Sequence, residues 1–155
     1  WAEFQAPIPV EERGDMIAAY HRRLFSGDPA QEARFALPWL IWENALAGLE
    51  IAGPGHAPAE YARAFARLEN HYFAHGCFLE DGQLLRDRPR IEHIPAVIVQ
   101  GRYDMVCPPI SAWELADGWD RAELRLVPAS GHALSEPRIG AELVRAMDGF
   151  RDIRP

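Results

Sequence analysis

The chain has 155 residues, 48% apolar and 25% charged, enough to bury the core of one domain and too apolar for a disordered segment. A formal charge of −7, from 23 acidic against 16 basic residues, disfavours a nucleic-acid or anionic-membrane surface. All 16 basic residues are arginine, so a Schiff-base lysine, pyridoxal-phosphate chemistry and a Walker phosphate loop are excluded.

Taken in chain order, Met16, Ile17, Tyr20 and Leu24 recur at close to helical spacing and stop at Ser26-Gly27-Asp28-Pro29, a turn. Asp28 is placed to cap the next helix, with Pro29 in its first position and Gln31 three after the cap. Pro38 is expected to end or kink that helix. A following stripe of Trp39, Trp42, Leu46 and Leu49 runs into the breaker Gly53-Pro54-Gly55. After Pro58, the residues Tyr61, Phe65, Leu68 and Tyr72 mark the apolar face of an amphipathic helix reaching His75.

Beyond residue 90 the period changes. Ala96-Val97-Ile98-Val99, bounded by Pro95 and Gly101, reads as a strand buried on both faces. Helical pattern returns from Ile110 to Trp119, Glu123 to Val127 forms a second strand, and Ile139 to Phe150 a final helix. Strand, helix, strand, helix implies parallel pairing through a crossover, an α/β arrangement. Trp113 and Trp119 are expected to pack the crossover helix. The arginines at 86, 88 and 90 are interrupted by Asp87 and Glu92 and are expected to face solvent.

Two cysteines, Cys77 and Cys107, are too few for a secreted disulfide framework and lack Cys-x-x-Cys spacing, so a reducing, cytoplasmic setting is expected. No apolar run approaches the roughly 18 residues of a membrane span, and no signal-peptide pattern opens the chain. His71 and His75 with Cys77 have the spacing of a zinc corner, but no fourth ligand accompanies them and helix-surface histidines are the simpler reading.

The loops after the two strands hold the chemistry. Gly101-Arg102-Tyr103-Asp104 and Ala129-Ser130-Gly131-His132 would open into one crevice at the carboxyl ends of neighbouring strands. An acid and then a histidine in such loops is how an α/β-hydrolase presents the last two members of its triad. The alternative is a turn aspartate and a surface histidine. Gly-x-Ser-x-Gly occurs nowhere: Ser26, Ser111, Ser130 and Ser135 all lack the flanking glycines. Cys107, three residues past Asp104, is a poor substitute nucleophile because it shares the loop of the orienting acid.

Glu11-Glu12-Arg13-Gly14-Asp15-Met16, Ala19-Tyr20-His21-Arg22-Arg23-Leu24, Trp39 and Trp42-Glu43 form the first part of a longer pattern. It continues in Arg67-Leu68-Glu69-Asn70-His71-Tyr72-Phe73, in Ile94-Pro95-Ala96-Val97-Ile98-Val99-Gln100-Gly101-Arg102-Tyr103-Asp104 and in Gly131-His132. Together these stretches resemble the proline iminopeptidases, α/β-hydrolase-fold serine peptidases that remove an N-terminal proline. The resemblance runs over nearly all of the chain and matches the family's carboxyl-terminal half.

It implies a mostly helical cap over residues 1–85 and the carboxyl-terminal part of the α/β-hydrolase core over 86–155. The serine elbow and the oxyanion loop would lie upstream of Trp1, in an amino-terminal half that this chain needs as partner, so the isolated chain is expected to be inactive. It makes Asp104 the triad acid and His132 the triad base. Glu43 and Glu69 would hold the charged amino terminus of a peptide substrate with N-terminal proline, and Cys107 would line the pocket for its ring. No metal or organic cofactor is implied, and no nucleic-acid or membrane partner.

Ala133 stands where members of the family often carry serine directly after the histidine. From the residues alone, Glu43 and Glu69 beside aromatic rings suit a secondary ammonium on an apolar ring, or are solvated or paired with arginine. Another cap-bearing α/β-hydrolase, such as an esterase or epoxide hydrolase, and a non-catalytic binding module remain as other readings.

Overall fold

The computed structural model describes residues 1–49 and 57–151, so the expected breaker at 53–55 lies outside the described residues. The chain divides into two units, residues 1–45 with 52–80 and residues 46–51 with 81–155.

Among its described residues the first unit is helical: α1 (Ala2–Gln5), α2 (Met16–Leu24), α3 (Pro29–Ala47, whose last two residues fall in the second unit) and α4 (Ala59–Ala74). Short 3-10 turns lie at Val10–Glu12 and Gly76–Phe78. Asp15 caps α2 by accepting the Ala18 N–H at 3.0 Å, and Asp28 accepts the Ala30 N–H at 3.0 Å as α3 begins at Pro29. The residue that reaches back from the first turn of α3 is Glu32, not Gln31; its carboxylate accepts the Gly27 N–H at 3.1 Å.

Pro38 neither ends nor divides the helix. α3 continues through it to Ala47 as one element. The lost backbone hydrogen bond is outweighed because Phe35, Ala36, Trp39 and Leu40, on both sides of the proline, are all buried in the core.

That core collects Phe4 of α1, Tyr20 and Leu24 of α2, Trp39 of α3, and Ala62 and Ala66 of α4. Phe4 stacks on Tyr20 at 4.6 Å between centroids, Trp39 meets Tyr20 edge-on at 5.3 Å, and the Tyr20 hydroxyl donates to the Phe4 carbonyl at 2.7 Å. Glu32, almost fully buried, accepts from Arg63 and Arg67 of α4 at 2.6 Å each, tying α3 to α4.

The packed face of α4 differs from the expected one. Tyr61, Leu68 and Tyr72 are exposed, whereas Ala62, Ala66 and Asn70 are buried and Phe65 is partly so. Small side chains let α2 approach α4 closely, and the Asn70 amide is satisfied by the Ile17 carbonyl (3.0 Å) and by His21 Nδ1 (2.8 Å). Residue size therefore pointed to the wrong face of a correctly located helix.

The second unit carries α5 (Gln83–Asp87), a 3-10 turn at Arg88–Arg90, β1 (Ala96–Gly101), α6 (Pro109–Ala116), β2 (Ala122–Val127) and α7 (Pro137–Phe150). β1 and β2 pair in parallel, in register from Ala96↔Ala122 to Gly101↔Val127, and α6 and α7 both pack against them. Up to Gln100, β1 is only half-buried, not buried on both faces, because β2 is its one neighbouring strand among the described residues. Trp119 is buried and its indole N–H reaches the Ile94 carbonyl at 3.2 Å, but Trp113 is exposed, against expectation. Arg88 also departs from the expected solvent face: half-buried, it donates to the Asp117 carbonyl at the end of α6 and pairs with Glu92 at 3.7 Å.

Candidate functional site

The register of the sheet ends β1 at Gly101 opposite Val127, so the two following loops leave the sheet side by side. Arg102 N–H bonds the Val127 carbonyl and Tyr103 N–H the Ser130 carbonyl, both at 2.9 Å, stitching the loops together. A Cβ on Gly101 would collide with the backbone oxygens of Ser130 and Gly131, so only glycine permits this approach.

Asp104 is buried, and its carboxylate accepts four hydrogen bonds. Oδ1 takes the backbone N–H groups of Val106 (3.0 Å) and Cys107 (2.7 Å). Oδ2 takes the Gln100 carboxamide at 3.1 Å and Nδ1 of His132 at 3.0 Å. Burial alone would raise its pKa, but the Cys107 amide, His132 and the Val106 amide outweigh it and hold the carboxyl below its ordinary value. An ionised carboxylate only accepts, so Nδ1 of His132 carries the hydrogen and Nε2 is left as the basic nitrogen. The His132 side chain keeps 41% of its exposure.

The backbone around His132 is held by three consecutive amides. Gly131 N–H donates to the Glu136 carboxylate at 3.0 and 3.1 Å, and His132 and Ala133 N–H both reach the Ala47 carbonyl at 2.8 Å. Ala129, with φ at 48°, makes the left-handed turn that leads into this stretch, and Ser130 beside it is fully buried. An imidazole held through both its backbone and Nδ1, with Nε2 uncommitted by either, can take a proton from a nucleophile and return it to a leaving group.

Within the second unit the structure thus brings together Asp104, His132 and Cys107. Cys107 contributes its backbone N–H to Asp104 and its carbonyl to Gln100 at 3.1 Å. The residue is exposed, and partial desolvation together with the Asp104 charge raises the pKa of its thiol, which disfavours the thiolate that nucleophilic attack needs. Glu43 and Glu69 belong to the first unit, on α3 and α4, and both are half-buried. Glu69 Oε2 accepts the indole N–H of Trp39 at 2.7 Å. Among the described residues no group of three or more His, Cys, Asp and Glu is arranged to hold a metal; His75 Nδ1 lies 2.7 Å from the His71 carbonyl.

Three participants were missed in the sequence. Gln100 and Glu136 act through side-chain bonds that no spacing announces, although each is a polar residue beside the strand-end loop it serves. The Ala47 carbonyl is a backbone group and carries no signal at all.

No family model matches the chain. Curated proteins do. A proline iminopeptidase of Xanthomonas citri is 49% identical over 154 residues, covering 97% of this chain and 49% of that protein. One of Arabidopsis thaliana is 45% identical over 97% of this chain and 41% of its own length, and one of Neisseria gonorrhoeae 43% identical over 100% and 49%. The chain spans about half the length of the curated relatives it matches. Along nearly all of its own length, therefore, the chain is a homologue of the proline iminopeptidases.

Proposed function

We propose that this chain is the carboxyl-terminal part of an α/β-hydrolase-fold serine aminopeptidase that releases N-terminal proline from peptides. The first unit serves as the cap and the second as the end of the hydrolase core. The nucleophilic serine and the oxyanion donors come from sequence preceding Trp1. The observation that carries the reading is the Asp104–His132 hydrogen bond between two parallel strand-end loops, in a chain 42–49% identical to proteins named proline iminopeptidase. Half-buried strands, with room for further strands of the same sheet, support it as well.

In this mechanism His132 Nε2 removes the proton from the serine hydroxyl as the oxygen attacks the carbonyl of the prolyl bond. Asp104 keeps the tautomer and stabilises the imidazolium. Collapse of the tetrahedral intermediate transfers that proton to the departing amine, and water, activated by the same nitrogen, releases proline from the acyl-enzyme. The protonated amine of the substrate is matched by Glu69 and Glu43, and Cys107, kept neutral, lines the proline ring's pocket.

The test is hydrolysis by the full-length enzyme of a prolyl amide, the same amide acetylated on its nitrogen, and a small neutral ester. Turnover of the prolyl amide, with the acetylated compound refused, is expected. Preference for the ester with no amide turnover would make the protein a different α/β-hydrolase, and prolyl-amide turnover by the 155-residue chain alone would remove the upstream serine from the mechanism.

A further inference from the structure

Gln100 is the penultimate residue of β1 and is half-buried, its backbone fixed by pairing with Leu126 of β2. Its side-chain nitrogen lies 3.1 Å from each of three oxygens: Asp104 Oδ2, the Gly101 carbonyl and the Cys107 carbonyl. All three only accept, so the nitrogen and not the oxygen of the carboxamide has to occupy this place. One acceptor is the same carboxylate oxygen that meets His132.

We infer that Gln100 is a positioning residue for the His132 base, acting through Asp104; the inference rests on the proposed roles of Asp104 and His132. The two loop amides hold Oδ1 and Gln100 holds Oδ2, so the carboxylate plane cannot turn and one lone pair of Oδ2 remains directed at Nδ1. The bond to the Cys107 carbonyl draws the loop carrying Asp104 back onto the strand end. The donor is also neutral. It favours the ionised carboxylate without placing a cation where it would compete with the imidazolium, which neither arginine nor glutamate at this position could do. Of the titratable side chains in this unit, His132 acts on Asp104, whereas Cys107 meets it through its backbone N–H and has its own thiol raised by the Asp104 charge.

Gln100→Leu and Gln100→Glu in the full-length enzyme test this. Gln100→Leu is expected to lower kcat for a prolyl amide about tenfold while KM stays within about twofold, because the base loses alignment and the substrate loses no contact. The titration of the Asp104 carboxyl, followed by carbon NMR, is expected to move to higher pH in both variants. Gln100→Glu should move it further, because a second carboxylate opposes ionisation of the first. In the wild type the Gln100 carboxamide protons should shift in step with the Asp104 titration, a readout that needs no variant.

A glutamine that merely fills space would lower Tm and leave Asp104 titrating where it does. An unmoved titration with unchanged kcat overturns the inference, and, if both variants fail to fold, carboxamide protons blind to Asp104 overturn it. Should these NMR responses occur in a protein that hydrolyses no prolyl amide, the functional reading falls and the positioning assignment stands.

Discussion

In the first unit a ring-on-ring core of Phe4, Tyr20, Phe35 and Trp39 is closed over by alanines of α2 and α4, whereas among the described residues of the second the buried apolar side chains are Ala112, Trp119, Val127, Ile139 and Ala146. Leu126, Val144 and Met147 stay exposed on β2 and α7 of the second unit. Its most fully bonded part is polar: the Asp104 carboxylate with four donors and the three amides around His132. One unit is ordered by apolar burial, the other by hydrogen bonds concentrated at two loops. The lesson is that a site can be built to closer tolerance than the layer beneath it, because directional bonds fix a few atoms where burial fixes a volume.

Substitution in the second unit should therefore damage chemistry far more than folding. Asp104→Asn in the full-length enzyme is expected to lower kcat roughly 10⁴-fold, far more than the Tm loss from facing an amide NH2 to two of the four donors would explain, because asparagine cannot hold the His132 tautomer that leaves Nε2 basic. A variant with near-normal kcat would mean that another acid orients the histidine.

The converse is expected in the first unit. Leu24 is fully buried in the core, and Leu24→Ala should cost about 2–5 kcal/mol in urea unfolding, with kcat preserved in the fraction that remains folded. Met147→Ala, on the exposed face of α7, should stay within about 0.5 kcal/mol of wild type. Equal losses at the two positions would erase the distinction between the units.

Glu69 joins the two kinds of order, since a core tryptophan donates to a carboxylate proposed to meet substrate. Glu69→Gln keeps an oxygen for the Trp39 indole and removes the charge. kcat/KM for a prolyl amide should fall about 10- to 150-fold, the worth of one charge-assisted contact, while a small neutral ester is hardly affected. An equal fall for both substrates would make Glu69 a residue of the core alone.

How much of this was legible in the sequence follows the same division. β1, β2, α6 and α7 were read to within a few residues: β1 is a β-branched run bounded by Pro95 and Gly101, β2 a short stretch closed by Pro128, and the two helices follow them with helical spacing. α1 was missed, being four residues long with one buried side chain, Phe4. A helix end at Pro38 and an aromatic packed face of α4 failed as expectations for a common reason. Local rules weigh a proline or an aromatic stripe by itself, while the outcome was set by what Trp39 and Leu40 gain on burial and by how closely Ala62 and Ala66 let α2 approach. That the loops of Asp104 and His132 lie side by side was readable from strand order, but the bonds of Gln100 and Glu136 were not, because side-chain bonds of this kind leave no period in a sequence.

Acid should produce the smallest effect and separate the units once more. Glu12, bonded by Arg23 and Arg22 on the surface of the first unit, has its pKa lowered to about 2 from an ordinary 4.5, while that of buried Asp104 in the second is lowered from 3.8. A carboxyl whose pKa is depressed by folding adds stability above its ordinary pKa and loses it as pH falls toward the folded value. For Glu12 that loss should run from about pH 4.5 down to about 2, and for Asp104 it should begin below about 3.8. Salt distinguishes the two, because at about 1 M the screening length shrinks to roughly 3 Å and weakens an exposed pair more than a buried one. Urea midpoints measured from pH 6 to pH 2 should therefore fall with acid, and Glu12→Gln should flatten the upper part of that fall at low salt but change little at high salt. The Asp104 part should persist at both salt concentrations and vanish in Asp104→Asn. A midpoint that does not move between pH 5 and pH 2, or one whose fall survives both substitutions, would place the acid sensitivity in neither carboxylate.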